Sequence, residues 1–200
     1  MPYHVRTIEN VSQIDCCELF RVEHFQWTNK YSPKTYGRMG LIDGYGIVVS
    51  MTAEEKDPLR TYIHRDDPVY MDSAMEVFLD FDSSQKMKRY FNFEMNSNGA
   101  MLSAFGDKKD RSYIKECSKY SACCEAEVKE ESWDILLGIP AELISELFQI
   151  QPLQKGDRFT CNFYKICETA GFEHYASYAP IINAQPNFHL PEFFSEAIIC

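Results

Sequence analysis

The sequence predicts an all-β fold: an antiparallel β-sandwich with immunoglobulin-like or jelly-roll-like layers and one or two short helices. Three observations carry this. Apolar and polar residues alternate in many short stretches, the pattern of strands with one buried face. Turn pairs such as Asp43-Gly44 and Asn98-Gly99 separate them. Tyrosine and phenylalanine number 12 and 14, which favours strands. A closed barrel is the alternative arrangement. The 200 residues are read as one domain, 1–200, long enough to bury a core without staples.

Taken in order, Tyr3–Ile8 alternates and is expected as an edge strand. Residues 11–20 have near-helical apolar spacing and are expected as a short packing helix. Residues 26–34 read as loop, with Trp27 a plug at the core edge or, alternatively, a ligand platform. Residues 38–53 form a hairpin about Asp43-Gly44. Residues 54–69 carry charge and proline without periodicity, and a loop that long is usually functional or disordered. A strand over 72–80, a turn over 82–88 and a strand over 89–96 follow. Asn98-Gly99 then leads into a strand over 100–105. Residues 107–119 are charged and expected to be mobile. Strands at Cys123–Val128 and 133–139 precede a helix, Ala141–Phe148, with Pro140 at its start. Arg158–Cys167 is a strand, 174–180 comes next, and a strand over 193–199 ends the chain.

The formal net charge is −10, a sign that repels phosphates and anionic headgroups. With no basic run of five residues, no nucleic-acid role is expected. No stretch of about 18 apolar residues occurs, so no membrane-spanning helix is expected. The opening Met1-Pro2-Tyr3-His4-Val5-Arg6 lacks the apolar region of a signal peptide, and the expected location is cytoplasmic. Eight cysteines, at 16, 17, 117, 123, 124, 161, 167 and 200, form no C-x-x-C. They are read as reduced, mostly buried thiols rather than zinc ligands or disulfides.

The chain is organised around Asp72-Ser73-Ala74-Met75-Glu76-Val77-Phe78-Leu79-Asp80. Met75, Val77 and Leu79 point to the core, and Glu76, Phe78 and Asp80 point the other way. The next strand repeats the division, with Tyr90, Asn92, Glu94 and Asn96 on the outer side. The two strands should pair and present carboxylates, amides and rings on one solvent-facing sheet surface. Such a surface suits a sugar. Hydroxyls take directed hydrogen bonds from carboxylates and amides, and C–H faces lie on aromatic rings. Glu76, Asn92 and Glu94 are therefore candidate binding residues. Along Arg158–Cys167, Phe159, Cys161, Phe163 and Lys165 share one side, and Thr160, Asn162, Tyr164 and Ile166 the other. Lys165 caps a carboxylate or donates to a ligand, and His174 is a ligand donor or packs in a loop. His189, between Phe188 and Leu190, reads as a structural histidine.

The order of motifs resembles family 9 carbohydrate-binding modules over about residues 40 to 199. The carrying residues are Tyr70-Met71-Asp72 through Asp80, Tyr90-Phe91-Asn92-Phe93-Glu94-Met95-Asn96 with Gly99, and Trp133-Asp134 leading to Ile139-Pro140. Further on come Asn162-Phe163-Tyr164-Lys165, His174-Tyr175-Ala176-Ser177-Tyr178-Ala179-Pro180, and Phe188-His189-Leu190-Pro191-Glu192-Phe193-Phe194. The resemblance implies a two-ring clamp on a terminal sugar, at Tyr70 and Tyr178, where the family has tryptophans. It implies a binding glutamate at Glu76 and strand amides at Asn92 and Asn162. Tyr90 stands roughly where the family has an arginine. It also implies structural calcium, with Asp80 and Asp82 the candidates. The reading is non-catalytic binding of a small saccharide or polysaccharide chain end. Alternatives are a glycoside-processing enzyme or accessory subunit using Glu76 and Glu94, and a protein-interaction module.

Overall fold

Alternation along the chain builds two facing sheets that share one apolar core. The computed structural model describes residues 1–82 and 89–200, so the turn expected over 82–88 lies, apart from Asp82, outside the described residues. Fourteen strands form among the described residues. They are β1 (Tyr3–Ile8), β2 (Leu19–Val22), β3 (His24–Phe25), β4 (Lys34–Ile42), β5 (Gly46–Glu54), β6 (Ala74–Asp80) and β7 (Tyr90–Asn96). The rest are β8 (Met101–Gly106), β9 (Arg111–Tyr113), β10 (Cys123–Val128), β11 (Trp133–Pro140), β12 (Arg158–Cys167), β13 (His174–Ser177) and β14 (Ser195–Ile199). Two helices, α1 (Ile114–Cys117) and α2 (Ala141–Phe148), complete the regular elements beside three short 3-10 turns.

The first sheet runs β3-β13-β12-β6-β7-β8-β9, with β14 also on β12. The second runs β10-β11-β5-β4, and β4 carries β2 and β1 on its other edge. Strand β1 joins the two. Its Tyr3–Val5 half pairs parallel with β14 and its Arg6–Ile8 half pairs parallel with β4. It is therefore an internal seam, not the expected edge. The strand pattern gave its existence, but not the partners on both sides.

Met75, Val77, Leu79, Phe91, Phe93 and Phe163 of the first sheet meet Val49, Met51, Trp133, Ile135 and Leu137 of the second in the core. Phe20 lies flat on Phe163, with ring centroids 3.7 Å apart. Burial of such side chains is the main favourable contribution, about 1.5–3 kcal/mol for each fully buried large side chain. Phe20 and Val22 alternate into this core, so the helix expected over 11–20 shortens. A 3-10 turn, Val11–Cys16, is capped by the Asn10 side chain, and β2 takes the remainder. Residues 107–119 are likewise partly regular, as β9 and α1.

The outer face of the first sheet is also covered. Every residue of β6, β7 and β8 is buried, so this face is not the solvent-facing surface expected from alternation alone. Two segments form the cover. The long stretch before β6 lays Val69, Tyr62 and Tyr70 over Ala100, Leu102 and Ala104. The stretch after β13 lays Ile181, Phe188 and Leu190 over Phe78, Tyr90 and Tyr164.

Asp72 ties the first cover down. Its carboxylate accepts from the backbone N–H of Thr61 at 2.8 Å and of Tyr62 at 2.9 Å. Asn96 of β7 donates to the same carboxylate at 2.8 Å and to the Tyr62 carbonyl at 2.8 Å. The Asn98-Gly99 turn follows, where Gly99 adopts φ +76°, the left-handed conformation that glycine takes without strain. Replacing Asp72 by Ala orphans these buried donors. We expect a loss of about 3 kcal/mol in urea unfolding and faster proteolytic cleavage within residues 55–71.

Candidate functional site

Cross-strand register sets the floor of the site. Tyr164 of β12 lies opposite Glu76 of β6, and Glu76 opposite Glu94 of β7. All point to the outer face, so two carboxylates stand side by side on adjacent strands. Between the two covers, a pocket of about 340 Å³ opens over this row. Tyr70 comes to it from the first cover, Phe188 and His189 from the second, and Tyr175 from β13. Glu168, just beyond β12, stands at its exposed rim, with its backbone N–H on the Tyr70 carbonyl at 3.0 Å.

The sides of the floor are tightly bonded. Asn92 donates to Glu94 Oε1 at 3.0 Å. Arg111 of β9 donates from Nη1 to Asn92 Oδ1 at 3.2 Å and contacts His189 Nδ1. Its Nη2 reaches the Tyr90 hydroxyl and the Asp107 carbonyl, the latter at 3.2 Å. The guanidinium also lies over the Tyr90 ring, 4.5 Å from the centroid. Burial and then the Arg111 charge hold His189 down at about 3, so its ring is neutral, and it stacks on Phe78 at 5.0 Å. Sequence reasoning missed Arg111, because it lies in the charged stretch read as mobile. Its signal was local: Gly106 and Arg111 flank a tight Asp107–Asp110 turn that folds the cation back onto the sheet.

Burial dominates the electrostatics. It pushes Glu76 well above the usual carboxylate range, with Glu94 and Glu168 adding to the shift and Arg111 opposing it. It raises Glu94 to about 7, against the opposing hydrogen bond from Asn92. Glu94 Oε2 is buried without a hydrogen-bond partner among the described residues. Burial also raises the Tyr70 hydroxyl, with Glu168 and Glu94 contributing.

Of the eight side chains singled out from the sequence, the pocket gathers Tyr70, Glu76 and Glu94, and Asn92 supports them from the side. The other four lie elsewhere. Tyr178 falls on the core side, where it packs edge-on against Tyr3 at 6.4 Å and Phe20 at 5.8 Å and lies tilted against Phe163 at 5.7 Å. The tyrosine that shares the pocket with Tyr70 is Tyr175, beside the Phe188 and His189 rings. Asn162 is fastened to the Ala179 backbone, accepting at 2.9 Å and donating at 3.2 Å.

Lys165 and His174 belong to a buried network on the inner side. Lys165 Nζ stands 3.3 Å from Glu55 Oε2, donates to His174 Nε2 at 2.7 Å and also meets Ser73 Oγ. Ser73 donates to Glu55 at 2.6 Å, Trp133 Nε1 donates at 2.9 Å, and Tyr31 adds a further bond. Burial opposes ionisation of Glu55, yet Lys165 and these donors hold it at about 2. His174 donates from Nδ1 to the Phe172 carbonyl at 2.8 Å, and burial with the Lys165 charge lowers it to about 3. Every member has a partner, so the network fixes structure.

For calcium, the Asp80 carboxylate accepts the Asp82 backbone N–H at 2.8 Å. Among the described residues no three His, Cys, Asp or Glu side chains converge as a metal site. A separate cleft of about 440 Å³, between the β4–β5 turn and α2, is lined by Leu41, Ile42, Ile144, Ile150 and Leu153. Asp43, Glu142, Ser145 and Gln151 line it too, but no aromatic ring does.

The fold and this pocket define a β-sandwich binding module. The sequence profile of carbohydrate-binding family 9 matches residues 7–199, and the chain belongs to that family. Among solved structures, it is similar to a presumed carbohydrate-binding protein from Bacteroides uniformis. That match has a TM-score of 0.82 and 21% identity, and covers 99% of this chain and 98% of the other. It is also similar to a family 9 module from Caldicellulosiruptor kristjanssonii. In complex with glucose, the TM-score is 0.73 at 11% identity, over 100% of this chain and 96% of the other. In complex with cellotriose, it is 0.71 at 11% identity, over 100% and 93%. These likenesses show the fold. No curated protein matches the chain.

Two outcomes follow. A folded-state carboxyl raised to about 7 holds its proton where the unfolded chain has released it, so stability falls as pH rises from about 4.5 to about 7. One such group sets a slope of at most about 1.4 kcal/mol per pH unit. Over the lower part of that window the neutral buried His174 and His189 act in the opposite sense, so the effect of Glu94 is read as a difference: the gap in thermal stability between the protein and Glu94→Gln should move in the variant's favour as pH rises. In the inner network, Lys165→Met removes one partner of a buried pair and should cost about 3–5 kcal/mol. Adding Glu55→Gln should recover part of that loss in urea titrations.

Proposed function

We propose that the chain binds a saccharide ring or chain end, without turnover, in the pocket on the outer face of the first sheet. The observation that carries this reading is that Tyr70, Tyr175, Glu76 and Glu94 line one pocket. The two rings form the clamp: they offer apolar faces to sugar C–H groups. The two glutamates accept from hydroxyls at the floor. Arg111, Asn92 and His189 hold that floor in one geometry, which limits the ordering cost of binding. Membership of the family, and the similar modules in complex with glucose and cellotriose, support the class of ligand.

A glycosidase acting through Glu76 and Glu94 is the second reading, favoured by one observation. Burial pushes both carboxyls up, Glu94 to about 7, so the desolvation that a general acid needs is present. Against it, the two lie side by side on one floor, whereas glycosidase carboxyls flank the scissile bond.

Calorimetric titration with glucose and cello-oligosaccharides should detect binding. Tyr70→Ala and Tyr175→Ala should each weaken it at least tenfold, whereas Tyr178→Phe should leave it unchanged. Aryl glycosides should give no product. Turnover that vanishes in Glu76→Gln would establish the enzyme instead, and loss of binding in Tyr178→Phe alone would move the clamp.

A further inference from the structure

We infer that the saccharide this pocket selects carries a free amine, a hexosamine whose ammonium sits among Glu76, Glu94 and Glu168. This rests on the saccharide reading and adds the class of sugar. The argument begins with what faces the pocket. Glu76 and Glu94 are neighbours on its floor and Glu168 stands at its rim. Glu94 is only 4% exposed; its Oε1 accepts from Asn92, while Oε2 has no partner among the described residues.

Neither nearby cation hydrogen-bonds these carboxylates, although the Arg111 charge acts on both floor carboxyls from the side. The terminal nitrogens of Arg111 are committed to Asn92, His189, Tyr90 and the Asp107 carbonyl. Lys165 lies on the inner side of β12, bonded to Glu55, Ser73 and His174. Arg111 offsets part of the charge of Glu76 and Glu94 through space, but three carboxyls meet at the pocket against that one guanidinium, so acceptors and latent negative charge remain in excess. Burial, and then neighbouring carboxylates, drive both floor carboxyls toward the protonated form against the opposing Arg111 charge.

A neutral sugar would meet hydroxyl needs but leave the floor carboxyls favouring their protonated form. An ammonium supplies three donors and the missing charge together. The rings of Tyr70 and Tyr175 add the π-faces that cations favour. An ammonium fixed to a sugar body fills the pocket while touching the acidic groups only along one edge.

The test is calorimetric titration of the full chain at pH 7 in low salt. The probes are glucosamine, mannosamine and galactosamine against glucose, mannose and galactose, with the N-acetyl forms as uncharged controls. The expected result is one amino sugar bound at least tenfold tighter than its neutral parent. That advantage should be absent in the N-acetyl form and weaker as salt is raised. Glu94→Gln should cut the ratio of amino to neutral affinity below threefold. Glu168→Gln, at the exposed rim where folding is not at stake, should lower the same ratio at least twofold. Amino sugars within twofold of their parents, or an advantage untouched by both variants, would overturn the inference and leave the saccharide reading standing. Binding of neither class would remove both.

Discussion

Two glutamates on neighbouring strands, almost wholly buried at the bottom of a pocket between the protein's own covering segments, are the constraint on which the rest of this structure depends. Glu76 and Glu94 repel each other and lose hydration, and within the described residues Glu94 Oε2 gains nothing in return. Such an arrangement is unfavourable by itself. It persists because the surroundings over-determine it. β6 is paired along nearly its whole length on both sides, to β12 and to β7. Its other face carries Met75, Val77 and Leu79 into the main core, so the register cannot slip without turning apolar residues outward.

The covers are held as firmly as the floor. Asp72 and Asn96 organise the first, and the second is fixed from several directions. Trp27 donates to the Asn183 carbonyl at 2.8 Å, and Tyr164 donates to the Phe188 carbonyl at 3.3 Å. Phe188 stacks on Tyr164 at 4.2 Å, while Trp27 abuts Tyr175 at 5.7 Å. The outer pocket is thus walled by segments that carry backbone bonds of their own. Tyr70 and Tyr175 need not be gathered from solution by a ligand, and a preformed site keeps the ordering cost low.

Alternation and turn residues revealed most of the strands, because one face of each had to be apolar. β6, β7 and β12 fall where the pattern placed them, and so does the floor of the site. What alternation does not carry is the use made of the second face. A polar outer face reads as solvated, and only the covering segments, irregular in sequence, reverse that reading. The aromatic pair shows the same limit. Continuing the strand pattern from His174 puts His174, Ala176 and Tyr178 on one side and Tyr175 on the other, and β13 keeps that order. The parity was legible; motif order pointed to Tyr178 instead. The same parity set Lys165 beside Phe163, on the core side. Arg111 was hidden for another reason: a short strand in a charged stretch has no apolar period to announce it.

Among the described residues a buried polar cluster lies on each face of the first sheet, one around Glu55 and one around Glu76, and their contrast separates scaffold from site. The inner one, around Glu55 and Lys165, joins a carboxylate to an ammonium and supplies the remaining bonds from Ser73, Tyr31, Trp133 and His174. Its charges are balanced, and burial there is tolerated because nothing is left over. The outer one joins two carboxylates to each other, with the nearest guanidinium bonded elsewhere and one oxygen unanswered. A fold that completes one cluster so fully could have completed the other with a single lysine on β8 or β13. That the outer cluster opens onto a ring-lined pocket, and the inner one does not, is the physical reason to look for its missing partner in a ligand.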